Sequence, residues 1–235
     1  MPEKQAIVLC SGGLDSVTTA YLVKNKLKYN KLTLLFFDYS QNALNEEKQA
    51  VSFFSKELNV EVIEIKIPEL GKLTNSLLTS KKTETKTLTK EDLKDTKEES
   101  AKYYLPARNL IFLSYAFSIA EAISKEENCQ VDIFVGFKHE GKEFYPDTTP
   151  EFVKLMNTLS ETSTETKPKV LAPLIDKDKE DIIQLATELN IKLEKTFSCH
   201  TPKYNKHCGI CLACMLRKEG FRWANIKDIT DYEQH

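Results

Sequence analysis

The sequence has little glycine, no long apolar run and almost no net charge. Seven of its 235 residues are glycine, about 3% where roughly 7% is usual. No apolar run approaches the ~18 residues of a membrane span, so we expect no membrane partner. The formal charge of −2 excludes a general basic field, and we do not expect a nucleic acid as the main partner.

The sequence also lacks the marks of an exported protein. Residues 1–10 lead directly into a strand-like run, without the apolar core and small-residue cleavage site of a secretory signal. Four of the six cysteines fall between Cys199 and Cys214, while Cys10 and Cys129 lie far upstream. A disulfide framework would instead spread its cysteines across a small secreted domain. We therefore expect reduced thiols and a cytoplasmic location.

Strand-like and helix-like segments alternate along most of the chain. Continuous apolar runs, typical of strands buried on both faces, are Ala6–Cys10, Leu32–Phe37, Val60–Ile67, Val131–Phe137 and Val170–Ile175. Amphipathic stretches with helical spacing are Ser16–Leu27, Glu46–Leu58, Arg108–Lys125, Pro150–Leu159 and Lys179–Leu189. The alternation predicts an α/β fold with a doubly wound, mostly parallel sheet.

Two segments interrupt this pattern. Residues 79–100 are dense in Lys, Thr and Glu and contain only Leu88 and Leu93 as large apolar residues. Such a segment cannot order itself alone, and we expect a mobile insertion that is either a plain loop or a lid. The cysteine-rich residues 196–235 form the second exception. We therefore predict a nucleotide-binding α/β domain over residues 1–195 and a metal-binding C-terminal segment.

A glycine turn joins the first predicted strand to the first predicted helix. Its residues are Ser11, Gly12, Gly13, Leu14, Asp15 and Ser16. Such a turn directs free backbone N–H groups and the helix dipole at one point, which favours a bound phosphate. The turn lacks the third glycine of the dinucleotide fingerprint and the Gly-Lys-Ser/Thr of the Walker loop. The alternative is a tight structural turn in which Asp15 or Ser16 caps the helix.

The C-terminal cysteines have the spacing of a metal site. The four candidate ligands are Cys199, Cys208, Cys211 and Cys214. Four thiolates suit a structural Zn²⁺ with tetrahedral geometry. Closely spaced cysteines also hold iron–sulfur clusters, and unmetallated thiols are a third possibility. His200 and His207 flank the cysteines and could replace one of them, although a place at the surface or behind the ligands is the more ordinary interpretation.

Basic residues are frequent around these cysteines. They are Lys203, Lys206, Arg217, Lys218, Arg222 and Lys227, beside the single acid Glu219. A zinc ribbon with this charge resembles a nucleic-acid module, whereas the plainer interpretation is a solvated surface.

The glycine turn resembles the pyrophosphate loop (PP-loop) of the ATP pyrophosphatases. With the rest of the chain it resembles the 7-cyano-7-deazaguanine synthase (QueC) family over nearly the full length. The segments that carry this resemblance are Phe37-Asp38-Tyr39, Leu105-Pro106-Ala107-Arg108-Asn109, Tyr145-Pro146-Asp147, Pro173–Lys179 and the cysteine cluster followed by Met215-Leu216-Arg217.

The resemblance implies an activity and a set of site residues. Family members use ATP, Mg²⁺ and ammonia to convert 7-carboxy-7-deazaguanine to the nitrile in queuosine and archaeosine biosynthesis, and they carry a structural zinc. It implies that residues 11–16 hold the phosphates of ATP. Asp15, which we expect to be catalytic together with Arg108 and Lys179, would make an indirect or metal-mediated contact. Asp38 and Tyr39 would lie beside the adenosine. Arg108 and Lys179 would neutralise developing charge, and the deazapurine would face Asn109, Tyr145 and Asp147.

The chain departs from the family pattern at three places. Ser40–Ala43 replaces a Gly-Gln-Arg-His type of segment, Ala107 replaces glycine, and Thr148-Thr149 replaces Cys-Arg. Two alternatives therefore stay open. The first is a PP-loop enzyme that adenylates another acceptor, either a tRNA base or a deazapurine destined for a protein. The second is a zinc-ribbon RNA-binding protein. A homodimer is also left open.

Overall fold

Five parallel strands form the centre of the structure. The computed structural model describes residues 4–80, 87–138 and 145–234. Within these residues the sheet has the order β3-β2-β1-β4-β5 and every pairing is parallel. The strands are β1 (Lys4–Leu9), β2 (Lys31–Asp38), β3 (Glu61–Lys66), β4 (Gln130–Phe134) and β5 (Val170–Leu171).

Over the described residues, the structure contains the five amphipathic helices that the sequence predicts and three others. They are α1 (Leu14–Asn25), α2 (Leu44–Leu58), α3 (Pro68–Lys72), α4 (Lys97–Tyr103), α5 (Arg108–Glu127), α6 (Pro150–Ser163), α7 (Lys179–Glu188) and α8 (Leu212–Trp223). Short 3-10 turns lie at Glu91–Lys94, Pro146–Thr148 and Leu193–Lys195. Over the described ranges, no helix combines the length and apolarity needed to cross a membrane.

The sheet is covered on both faces. Successive side chains of a strand point to opposite faces, and in β1 Ala6 and Val8 pack in one apolar cluster while Ile7 packs in the other. The first cluster includes residues of α1, α2, α7 and α8, and the second includes residues of α5 and α6. This arrangement confirms the predicted α/β class with a doubly wound parallel sheet.

The site predicted from the glycine turn lies where β1 and β4 are neighbours. The chain leaves β1 toward α1 on one face, whereas α5, on the other face, precedes β4. Ligands of open α/β sheets bind at such a change of direction, beyond the carboxyl ends of the strands. Gly136 follows β4, and a Cβ there would lie 2.9 Å from the backbone of Asp15 and of Ser16. The loops after the two strands therefore pack directly on each other.

The two segments that interrupt the alternation, residues 79–100 and 196–235, pack against the main structure in their described parts. In the described part of residues 79–100, Leu88 is buried beside Tyr103 and Leu212. Residues 81–86 lie outside the described residues, and the mobility of the segment stays a prediction. In the C-terminal segment, Phe221 of α8 joins the apolar cluster of α1 and α7. The boundary predicted at residue 195 also stays a prediction.

Two departures from the family pattern occupy left-handed backbone positions. Ala107 has φ 56° and Ser40 has φ 64°, and the family pattern has glycine at both. A residue with a Cβ loses roughly 1–2 kcal/mol in this conformation, whereas glycine adopts it freely. The local strain therefore explains why glycine suits these turns.

We predict that Ala107→Gly stabilises the protein. Relief of strain should exceed the greater backbone entropy that glycine loses on folding, and the free energy of unfolding should rise by about 0.5–1 kcal/mol. Urea denaturation measures this change. As a control, Ala116→Gly in the middle of α5 should lower the stability by about 1 kcal/mol or more. A loss of stability in Ala107→Gly would contradict the expectation.

Candidate active site

A cavity of about 370 Å³ opens at the carboxyl ends of β1, β2 and β4. Most of the site residues predicted from sequence line it. They are Ser11, Gly13, Leu14, Asp15, Ser16, Tyr39, Arg108, Asn109, Tyr145, Asp147 and Lys179. The structure therefore brings together side chains that are far apart in sequence, while Gly12 and Asp38 are not part of the lining.

The glycine turn presents backbone N–H groups rather than a side-chain cap. Gly13 is the N-cap of α1 and makes no side-chain capping bond. Gly12 has φ 79°, and a Cβ there would lie 2.7 Å from the Cβ of Ala50. The hydroxyl of Ser16 donates to the Gly13 carbonyl oxygen at 3.0 Å. The alternative in which Asp15 or Ser16 caps the helix is therefore wrong, and the first turn of α1 suits an anion.

Asp15 and Lys179 form an ion pair at the edge of the cavity. The Lys179 Nζ lies 2.9 and 2.8 Å from the two carboxylate oxygens of Asp15. Lys179 begins α7, where the helix dipole disfavours a cation unless an anion is close. Gly220 of α8 packs directly against the Lys179 side chain, with no room for a Cβ. α8 therefore helps to direct the ammonium group into the cavity.

Arg108 provides a positive charge with no carboxylate partner. It begins α5, and its Nη1 donates to the Tyr39 hydroxyl at 3.4 Å. Within residues 4–80, 87–138 and 145–234 it makes no ion pair. Burial raises the pKa of Tyr39 to about 12, so the phenol stays neutral. The arrangement leaves the guanidinium available to an anionic ligand.

The residues predicted to face a deazapurine are held in place by hydrogen bonds to α5 and α4. The Asn109 backbone N–H donates to Asp147 Oδ2 at 3.2 Å, and its amide Nδ2 donates to the Asp147 carbonyl oxygen at 3.1 Å. The Tyr145 hydroxyl donates to the Ser100 carbonyl oxygen at 3.3 Å. These bonds fix Asp147 and Tyr145 on the cavity wall, and their role toward a deazapurine stays a prediction.

Asp38 points away from the cavity. Its carboxylate accepts from the Ser40 backbone N–H at 3.1 Å and lies 3.7 Å from the Lys48 ammonium group. The structure thus separates Asp38 from Tyr39, its neighbour in the motif. A role for Asp38 beside the adenosine stays a prediction.

Glu47 lines the cavity and was missed by sequence reasoning. Gln41 Nε2 donates to its Oε2 at 2.8 Å, and burial raises the pKa of Glu47 to about 7. In the sequence Glu47 is one of two acids in the first turn of an amphipathic helix, which is where acids ordinarily occur. Glu47 nevertheless precedes Ala50, Val51 and Phe54 by three, four and seven residues, so it lies on the apolar face of α2, and this spacing is the local signal that could have distinguished it from Glu46.

Tyr103 and His200 bring unpartnered polar atoms to the same cavity. Their rings lie 4.7 Å apart, and both residues line the cavity. The Tyr103 hydroxyl and His200 Nδ1 are buried without a hydrogen-bond partner among the residues that the structure describes. Burial and the charge of Arg108 lower the pKa of His200 to about 4. Such atoms favour a polar ligand at this wall, because unpaired buried polar groups are costly.

The four cysteines converge on one point. All four Sγ atoms are buried and lie within 4.8 Å of one another. The Cys199–Cys211 and Cys208–Cys214 sulfur separations are 3.9 and 4.0 Å. Sulfurs at ~2.3 Å from a tetrahedral zinc would be separated by about 3.8 Å. The geometry therefore fits a single ion bound by four thiolates.

The histidines near the cysteines are not part of this ligand set. His207 is buried, and its Nε2 accepts from the Ser198 backbone N–H at 3.2 Å. His200 faces the cavity beside Tyr103. A surface position for His207 is therefore wrong.

Arg217 is also buried, although a solvated basic surface is the plainer sequence interpretation. It is only 2% exposed. Its guanidinium donates to the Leu193 carbonyl oxygen and to the hydroxyls of Thr196, Ser198 and Thr230, at 2.8–3.2 Å. Other basic residues of the group are also engaged, since Arg222 pairs with Glu219, Lys206 with Asp231, and Lys218 donates to Gly209. Arg217 therefore holds the loop before the cysteines against the C-terminal tail.

The comparisons with known proteins decide the family. A family model described as queuosine biosynthesis protein QueC matches residues 5–225. The chain belongs to this family. It is 33% identical over 237 residues to the 7-cyano-7-deazaguanine synthase of Methanobrevibacter smithii, with all of both chains covered. It is 35% identical to the Methanocaldococcus jannaschii protein of the same name, covering 97% of this chain and 99% of that relative.

Similarity to solved structures is weaker. The U34-tRNA thiolase NcsA from Methanococcus maripaludis, solved with its [4Fe-4S] cluster, is 16% identical with a TM-score of 0.45. The match covers 95% of this chain and 66% of that one. A likeness at this level carries no inference about the ligands of this chain.

We predict that Cys208→Ser loses the bound metal. Purified protein should contain about one Zn²⁺ per chain, and the variant much less, because a structural site needs all four thiolates. Elemental analysis and the thermal midpoint measure the two effects. Cys129→Ser, outside the cluster, is the matched control and should keep both. Equal metal content in the two variants would contradict the assignment.

We predict that Glu47→Gln stabilises the protein in a pH-dependent way. Between pH 4.5 and about 7 the folded state keeps a proton on Glu47 that the unfolded state has lost. Wild-type stability should therefore fall across this window as the pH rises, by about 3 kcal/mol at most. The variant should be the more stable protein at pH 8 and should lose this advantage below pH ~4.5.

Urea denaturation at several pH values measures this effect. Glu46→Gln controls for the loss of one negative charge from α2. A stability difference between wild type and Glu47→Gln that does not change with pH would show that the carboxyl is not desolvated.

Proposed function

We propose that the protein converts 7-carboxy-7-deazaguanine and ammonia to 7-cyano-7-deazaguanine at the expense of ATP. The observation that carries this proposal is the cavity between β1 and β4, where uncapped N–H groups of α1 face the charged groups of Arg108 and Lys179. Synthases of this name align with the whole chain at about one-third identity. The site thus combines an anion-binding turn with cations that can stabilise a transferring adenylyl group.

The chemistry requires that the carboxylate be activated. A carboxylate is a poor electrophile, and a carboxylate oxygen must first attack the α-phosphorus of ATP and release pyrophosphate. The N–H groups at residues 11–16 would hold the phosphates. Arg108 and Lys179 would stabilise the charge that develops on them, which is usually the largest contribution that a site makes to such a reaction.

Ammonia then attacks the acyl adenylate. A C–N bond forms, the C–O bond to AMP breaks, the electron pair leaves with AMP, and one proton leaves nitrogen, which gives the amide. The amide oxygen attacks a second ATP in the same way. Loss of AMP and of the protons on nitrogen then gives the nitrile, so that two AMP are formed for each nitrile.

The opposite wall of the cavity would bind the deazapurine. One oxygen of Asp147 accepts from Asn109, and the other would accept N–H groups of the guanine-like ring. The Tyr103 hydroxyl and His200 Nδ1, which lack partners among the described residues, would pair with polar atoms of the same ring. Tyr145 would stack on it.

The cysteine site would hold a structural Zn²⁺. The short sulfur separations support a single ion, because the irons and sulfides of a cluster would hold their ligands farther apart. Four thiolates leave no open position for a substrate, so the ion would order the cysteine loops and the start of α8. Mg²⁺ would accompany the ATP phosphates, near Asp15. We retain the cytoplasmic location as a prediction.

We predict that the purified protein releases AMP and forms the nitrile from ATP, ammonium and 7-carboxy-7-deazaguanine. Lys179→Met should lower kcat by about 10²-fold or more, since it removes a charge that stabilises the transition state. Lys192→Met, which removes a lysine paired with Glu57, should keep near wild-type activity. Product analysis by mass spectrometry is the measurement. Release of ADP, or AMP release that does not depend on the deazapurine, would contradict the proposal.

A further inference from the structure

Glu47 has the contacts of a reactive carboxylate rather than of a structural one. Its Oε2 accepts from Gln41, whose amide group also bonds to Phe37 and Tyr39 and is therefore fixed. Its Oε1 has no hydrogen-bond or ion-pair partner in the part of the chain that the structure describes. One oxygen is thus anchored, and the other is left for a ligand.

The position of Glu47 is next to the phosphate turn. Its backbone oxygen lies 3.0 Å from where a Cβ of Gly12 would stand. Arg108 and Tyr39 line the same cavity, and both interact electrostatically with the Glu47 carboxyl. The carboxyl therefore shares the cavity with the turn that would hold the phosphates and with the Arg108 guanidinium.

The proposed reaction needs a base that takes protons from nitrogen. In neutral solution ammonia is mostly ammonium, which has no lone pair with which to attack carbonyl carbon. Protons must also leave nitrogen when the amide becomes a nitrile. Among the cavity carboxyls, Asp15 is paired with Lys179 and Asp147 accepts from the Asn109 backbone. Glu47 differs from both, because its Oε1 has no hydrogen-bond or ion-pair partner among the described residues.

We propose that Glu47 is the general base that takes protons from the nitrogen nucleophile. This inference rests on the proposed function. Ammonium gives one proton to Glu47 Oε1, the nitrogen lone pair forms the C–N bond, and AMP leaves with the electrons of the C–O bond. A second proton then passes from nitrogen to water and gives the neutral amide, and Glu47 returns its own proton to solvent. In the second stage the nitrogen of the adenylated amide carries two protons, of which one passes to the Glu47 carboxylate and the other to water as the C≡N bond forms and AMP departs with the electrons of its C–O bond.

The charges around Glu47 support this role. Burial raises its pKa to about 7, Gln41 and Arg108 act to lower the pKa, and Glu46 of the same helix acts to raise it. Tyr39 and the Cys10 thiol also face it, and burial keeps both of them neutral by raising their pKa values. A base works best when its pKa is close to the operating pH.

The test compares Glu47→Gln with Glu46→Gln. Three assays are run at pH 7.5: exchange of labelled pyrophosphate into ATP dependent on 7-carboxy-7-deazaguanine, nitrile formation from ammonium, and hydroxamate formation from hydroxylamine. Hydroxylamine is already unprotonated at this pH, so no base is needed to free its nitrogen lone pair. Glu47→Gln should retain exchange and hydroxamate formation while nitrile formation falls by about 10²-fold or more. Glu46→Gln should retain all three.

The dependence on pH provides a second readout. Nitrile formation by Glu47→Gln should rise with pH in proportion to free ammonia, whereas wild type should depend less steeply on it. The inference is overturned if Glu47→Gln keeps nitrile formation within about tenfold of wild type. It is also overturned if all three assays fall together, which would show a structural role. Absence of exchange in wild type would instead overturn the proposed function.

Discussion

The direction of the backbone N–H groups at the start of α1 is the constraint on which the site depends. The turn that carries them lines the cavity and makes no side-chain capping bond. It is packed from two sides, because Gly12 lies against Ala50 of α2 and Gly136 lies against Asp15 and Ser16, and neither contact leaves space for a Cβ. These contacts hold the turn at the place where the parallel strands β1 and β4 leave room for a ligand.

The C-terminal segment acts on the site through α8. The cysteine cluster fixes the start of this helix, and Arg217 holds it against the loop at residues 193–198. The close approach of Gly220 then directs Lys179 toward Asp15. A metal at the cysteines would thus influence catalysis without touching substrate, because it orders the helix that positions a cation.

The sequence predicted the elements and motifs whose signal is local, and failed where side-chain direction depends on distant packing. Apolar runs and helical spacing predicted the positions of the strands and of the long helices. Burial on both faces is wrong for β3, an edge strand whose residues are exposed or half-buried, and the run Val170–Ile175 forms a strand only over Val170–Leu171. The phosphate turn and the cysteine cluster were visible as spacings. Arg217 looked like an ordinary surface charge, and only the tertiary structure shows that it is buried. Glu47 lies at helical spacing from Ala50, Val51 and Phe54, so its inward position was visible in the sequence, but its place in the cavity depends on how α2 packs on the sheet.

The fate of the carboxylate oxygens tests adenylation most directly. We would supply 7-carboxy-7-deazaguanine labelled with ¹⁸O in both carboxylate oxygens and analyse the nucleotides by mass spectrometry. Each oxygen should leave as part of one AMP, so that two singly labelled AMP accompany each nitrile and pyrophosphate carries no label. Unlabelled AMP, or label in released phosphate or pyrophosphate, would contradict activation of the substrate through its own oxygens at this site.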